Sequence, residues 1–133
     1  MLDQSYTLIS PFPCTARELY EWHRRPSALE RLIPPWENTT VIERCGGIDP
    51  GGRVVLRLHA GPVPLHWHAR HIVNQPGVMF RDVLERGPFA KWSHTHRFLD
   101  TPQGAQLEDH IEYALPGQAM LPAWITAKVH HAL

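Results

Sequence analysis

From Trp36 onward apolar and aromatic residues recur at every second position, in runs interrupted by GGIDPGG (46–52), AGPVP (60–64), NQPG (74–77), RGPF (86–89) and DTPQG (100–104). Period-two alternation punctuated by Gly and Pro predicts six half-buried strands joined by five turns. Upstream, QSYTLIS (4–10) carries β-formers and ends at Pro11 and Pro13, which marks a first strand. Two short helices are expected next. TARELYEWHRR (15–25) opens with Thr15 and Glu18 at capping-box spacing, aligns Leu19 with Trp22, and stops before Pro26. SALERLI (27–33) repeats the device with Ser27 and Glu30 and is ended by Pro34-Pro35. Residues 118–133 place Leu121, Trp124, Ile125 and Lys128 at helical spacing, predicting a terminal helix. The order β-α-α-β6-α reads as an α+β fold, a curved antiparallel sheet around a final helix, in one domain over residues 1–133.

In an antiparallel hairpin the turn sets which residues face each other. A turn centred near Pro102 pairs Phe98 with Leu107, His96 with Asp109, His94 with Ile111 and Trp92 with Tyr113. Extending through Gly87 pairs Trp92 with Asp82 and His94 with Phe80. Extending through Gln75 and Pro76 pairs Phe80 with His71 and Asp82 with Ala69. Val54, Leu56 and Leu58 complete the same face, with Trp67 beside them. This face is mostly large and apolar, which directs it inward, yet it carries His71, Asp82, His94, His96, Asp109 and the Tyr113 hydroxyl. A buried polar group without a partner costs about 1–3 kcal/mol, so several together imply mutual pairing, water or a ligand.

Two readings follow. The polar residues form a self-satisfied structural network, or they orient the polar end of a molecule whose apolar body packs on Leu56, Leu58, Trp67, Phe80, Trp92 and Phe98. Two H-x-H pairs, His66-Trp67-His68 and His94-Thr95-His96, have metal-ligand spacing on a strand. His66 and His68 fall opposite Trp67 and so face solvent. His94, His96 and Asp109 form a two-His, one-carboxylate set, but a His–carboxylate hydrogen bond accounts for the same residues, and no metal or cofactor is expected. No G-x-S-x-G elbow, G-x-G-x-x-G or Walker pattern occurs.

Composition narrows the partners. Thirteen Lys+Arg balance thirteen Asp+Glu, so no field recruits nucleic acid or an anionic membrane. Thirteen prolines argue against a helical bundle. Cys14 and Cys45 make no disulfide framework, the N-terminus has no basic and apolar leader regions, and no apolar run would span a bilayer. A cytoplasmic protein with free thiols is expected, with a homodimer as a possible assembly.

The stretches GPFAKWSHTHRF (87–98) and EDHIEYALP (108–116) resemble the pattern G-P-[FY]-x-x-W-x-H-x-H-x-F, then D-x-[IV]-x-Y-x-[LV]-P, of the SRPBCC, or START-like, superfamily, in its small bacterial polyketide cyclase/dehydrase-like members. Gly87, Pro88, Phe89, Trp92, His94, His96 and Phe98 match the first part. Asp109, Ile111, Tyr113, Leu115 and Pro116 match the second. Leu32 to Trp36 resembles the L-[TI]-P-P-W segment, and Phe80-Arg81-Asp82 the F-x-D strand. The resemblance implies a helix-grip fold, seven strands wrapped around a long C-terminal helix, enclosing a cavity for a hydrophobic molecule. In such relatives the last helix usually continues past the equivalent of Leu133, a departure here. The superfamily includes carriers, cyclases and regulatory modules, so the expected function is binding of a small, largely hydrophobic ligand. The alternatives are a cyclase, dehydratase or isomerase using a His-Asp pair, and a regulatory module of a partner enzyme.

Overall fold

The computed structural model describes residues 3–26, 28–33 and 38–115. The described residues form seven strands and two short helices, both helices between the first two strands: β1 (Asp3–Phe12), α1 (Ala16–His23), α2 (Ala28–Leu32), β2 (Thr40–Cys45), β3 (Arg53–Ala60), β4 (Val63–Gln75), β5 (Met79–Arg86), β6 (Lys91–Thr101) and β7 (Gly104–Ala114). They form one antiparallel sheet in the order β1-β7-β6-β5-β4-β3-β2. The six alternating strands after the helices and their five connections are as expected from the pattern. The terminal helix expected over 118–133 lies outside the described residues, as do Trp36 and Pro116.

Helix α1 starts where the sequence specifies. Thr15 accepts from the Glu18 backbone N–H at 3.1 Å, and Glu18 accepts from the Thr15 N–H at 3.2 Å, closing the capping box. Its buried face is Ala16, Leu19, Tyr20 and His23, the i, i+3, i+4, i+7 stripe. Trp22, aligned with Leu19 in the sequence reading, is only half-buried. The helix is tied down at the start and the middle of this stripe: the Ala16 N–H donates to Asp100 at 2.9 Å, and the fully buried Tyr20 donates its hydroxyl to Asn74 at 2.7 Å.

The β6–β7 register is the expected one, with Phe98 opposite Leu107, His96 opposite Asp109, His94 opposite Ile111 and Trp92 opposite Tyr113. The next two registers are corrected. Asp82, not Phe80, lies opposite His94, and Phe80 lies opposite His96. His71 faces Asp82, Ala69 faces Leu84, and Asn74 faces Phe80. Each pairing is displaced by an even or compensated step, so the inward face is preserved while its neighbours change. The causes are turn chemistry and bulges. The β4–β5 turn centres on Gly77 rather than Pro76 because that position has φ +78, which glycine adopts without strain. Ile72 is then an extra residue on β4 between His71 and Val73.

Two apolar clusters form on the inner side of the sheet. One joins Ala16, Leu19 and Tyr20 of α1 to Phe80, Phe98, Ala105 and Leu107. The other gathers Trp67, Ala69, Phe89, Trp92, Ile111 and Tyr113. Along β6 the inward residues run Trp92, His94, His96, Phe98, so the two histidines sit between the clusters. Along β7, Asp109 lies between Ile111 and Leu107 in the same way.

Candidate functional site

A cavity of about 320 Å³ opens between the inner face of the sheet and the two helices. Leu56, Trp67, His71, Phe80, Asp82, Trp92, His94, His96 and Asp109 line it, as do Val54 and Leu58. Phe98 and Tyr113 are buried but do not line it. Phe98 packs edge-on against Tyr20 and His23, and the Tyr113 hydroxyl donates to Gln4 of β1 at 2.9 Å. His66 is exposed and His68 half-buried on the outer face, as their position opposite Trp67 requires.

Asp109 organises the polar band. It is 4% exposed, and its Oδ1 receives His94 Nε2 at 2.9 Å and His96 Nδ1 at 3.0 Å. An ionised carboxylate only accepts, so both imidazoles donate to it. The other nitrogen of His96, Nε2, stands 3.5 Å from Asp82 Oδ1, an ion-pair contact without hydrogen-bond geometry. Asp82 Oδ1 and His71 Nδ1 are buried without a hydrogen-bond partner. The rings are layered: His94 stacks on His96 at 3.7 Å, and Phe80 covers the histidine layer with its centroid 4.2 Å from that of His96.

Burial opposes charge on every member, and the pairing decides where charge survives. For His96, burial pulls the imidazole down, but the carboxylates of Asp109 and Asp82 outweigh it and hold the group at about 9. For Asp109, burial pushes the carboxyl up, and the hydrogen bonds from His94 and His96 reverse this and place it well below the usual carboxylate range. Asp82 is lowered for the same balance of reasons, with His96 the chief partner. His94 is lowered by burial and by the charge of His96, against its bond to Asp109. His71 is lowered by burial despite Asp82. At neutral pH the band is therefore one imidazolium between two carboxylates, flanked by neutral imidazoles.

His23 belongs to this site and was not anticipated. Its Nδ1 lies 2.8 Å from the Leu19 carbonyl oxygen and must donate to it, which leaves Nε2 as the acceptor of a neutral ring. Burial lowers its pKa, and the ring lines the cavity 6.4 Å from that of His96. The available signal was its place four residues after Leu19 on the buried stripe of α1. The α2 residues Ala28, Leu29 and Leu32 add apolar wall.

The family described as polyketide cyclase/dehydrase and lipid transport matches residues 12–132. The chain belongs to this family. No curated protein matches it in sequence. Among solved structures, members of the Bet v 1-like and START-like superfamily share the helix-grip fold. Protein CV1439 from Chromobacterium violaceum is 19% identical, with a TM-score of 0.69, covering 96% of this chain and 91% of that one. Ginseng major latex-like protein 151 from Panax ginseng is 9% identical, with a TM-score of 0.72 over 99% and 93%. Norcoclaurine synthase from Thalictrum flavum is 11% identical, with a TM-score of 0.70 over 98% and 84%. At these identities the likeness concerns the fold. Among the described residues no helix is long and apolar enough to cross a membrane.

Proposed function

We propose that the protein binds a small, largely hydrophobic molecule in the cavity, with the molecule's polar end against the band of His71, Asp82, His94 and His96. The carrying observation is that a largely apolar cavity wall contains two buried polar atoms without a hydrogen-bond partner, His71 Nδ1 and Asp82 Oδ1, the latter held only by its ion-pair contact with His96. Leaving such atoms unpaired costs about 1–3 kcal/mol each, and a ligand that donates to Asp82 removes part of that cost. The family's range, which includes lipid transport as well as cyclisation, supports the same reading. Native mass spectrometry of the purified protein tests it. The expected result is a reproducible added mass that is lost on denaturation and absent from Leu56→Arg, a substitution that fills the cavity from β3. An added mass retained by a folded Leu56→Arg would place the ligand elsewhere.

A second reading, proton transfer on a carbonyl-bearing substrate, is favoured by one feature. His96 is an acid fixed between two bases, beside the neutral acceptor His23. It requires a turnover rate whose pH profile loses a limb in His96→Gln.

A further inference from the structure

The corrected register changes which carboxylate accompanies the two histidines. Asp82 lies directly across the sheet from His94, and one donor atom from each of Asp82, His94 and His96 falls within 4.8 Å of the others. The contact between two of these residues is informative. His96 Nε2 and Asp82 Oδ1 are 3.5 Å apart and do not hydrogen-bond. Donors at about 2.0–2.1 Å around a tetrahedral ion are roughly 3.4 Å from one another, so this pair already has the separation of two ligands on one ion.

Asp109 supplies what such a centre needs behind its ligands. It holds His96 through Nδ1, turning Nε2 toward Asp82, and anchors His94 as well. A carboxylate gripping the far nitrogen of a ligating histidine fixes the ring and raises its basicity. His71 Nδ1, buried and without a partner, lies on the strand next to Asp82, with His71 facing that residue in the ladder. The cavity borders the remaining side, which leaves room for a water or a ligand oxygen.

We propose that Asp82, His94 and His96 form a binding site for one divalent transition-metal ion of the zinc type, held from behind by Asp109 and open toward the cavity. The imidazole and carboxylate donors suit zinc or cobalt rather than calcium or magnesium, which take oxygen ligands. The site does not depend on the cavity holding an organic molecule, so its success or failure is separate from that of the ligand reading.

The experiment uses the full chain stripped with a chelator and titrated with Co(II), then Zn(II), with metal content measured after gel filtration. Wild type is expected to take up one ion per chain with visible absorption of low-symmetry Co(II), which Zn(II) bleaches. Asp82→Asn should lose at least tenfold in affinity and Asp109→Asn about 10–100-fold, whereas His66→Ala/His68→Ala should bind as wild type does. Uptake that survives in Asp82→Asn and vanishes with His66 and His68 identifies an adventitious ion only. No stoichiometric uptake by folded wild type also overturns the proposal. Should Asp82→Asn fail to fold, imidazole nitrogen shifts of wild type with Zn(II) decide: His94 and His96 must move, and movement confined to His66 and His68 refutes the site.

Discussion

Raising the pH should destabilise the metal-free protein well before its lysines titrate, and His96 is the reason. In the unfolded chain its imidazole titrates near the ordinary value of about 6.5. In the fold, burial alone would lower it, but Asp109 and Asp82 hold it at about 9. The folded protein thus keeps a proton that the unfolded chain releases. This contribution is complete below about pH 6.5 and disappears as the pH rises through 9. At about 1.4 kcal/mol per pH unit, the displacement is worth on the order of 3 kcal/mol, a large share of a typical domain stability of about 5–15 kcal/mol. The opposite slope operates on the acid side. His23, His71 and His94 are held below 6.5 chiefly by burial, so the unfolded chain takes up protons first and stability falls as the pH drops below that value. Stability should therefore peak near pH 6.5. Urea unfolding midpoints measured from pH 5 to 10 in the presence of a chelator give the curve, and His96→Gln should flatten its alkaline limb while keeping the acid one. A wild-type curve that is level between pH 6.5 and 9, or an unchanged alkaline slope in His96→Gln, would refute the charge assignment.

Three further outcomes follow from packing and backbone geometry. Ile111 is fully buried at the centre of the tryptophan cluster, and Ile111→Ala should cost about 2–5 kcal/mol in chemical unfolding; a loss under 1 kcal/mol would mean that the cluster collapses around the gap. Thr15→Ala removes one half of the α1 capping box and should cost about 1 kcal/mol, with Thr15→Ser restoring most of it. Gly104 opens β7 at φ +145, and a Cβ there would overlap the Phe12 carbonyl oxygen of β1. Gly104→Ala should lower the melting temperature more than Gly47→Ala, whose Cβ meets nothing.

How far the sequence was legible depended on what pinned each hairpin. The Pro102-Gln103 turn is short and uninterrupted, and alternation from it gives every β6–β7 partner correctly through Trp92 and Tyr113. The β5–β6 connection is longer, and the β4–β5 ladder contains two irregularities, after His68 and after His71. The β5–β6 ladder is uninterrupted but is centred one residue beyond Gly87, which moved the β6 partners of Asp82 and Phe80 by two residues while their inward orientation held; the β4–β5 bulges, which have no compositional mark of their own, moved the partners on β4. The inward polar residues were legible because an apolar face exposes its exceptions. His23 was not, since a histidine near the end of a short amphipathic helix reads as a polar residue until the helix face is fixed by Tyr20 and its bond to Asn74. The hydroxyl partner of Tyr113 was not legible for a related reason: Gln4 sits on β1, whose pairing with β7 joins the two ends of the sheet's sequence.

The extra residue at Ile72 has a consequence for how β4 tolerates change in length. Before it, the inward positions are odd-numbered, Trp67, Ala69 and His71; after it, the inward position is Asn74, opposite Phe80 and bonded to Tyr20. One strand therefore serves two phases, the first addressed to the cavity and the second to α1. Ile72 itself is 37% exposed, and its side chain could be replaced at little cost. A chain lacking Ile72 would pair His71, Val73 and Asn74 with Asp82, Arg81 and Phe80 without interruption and keep Asn74 facing Tyr20, so the loss of this residue would leave the register intact and remove only the local bend and twist that the bulge gives β4.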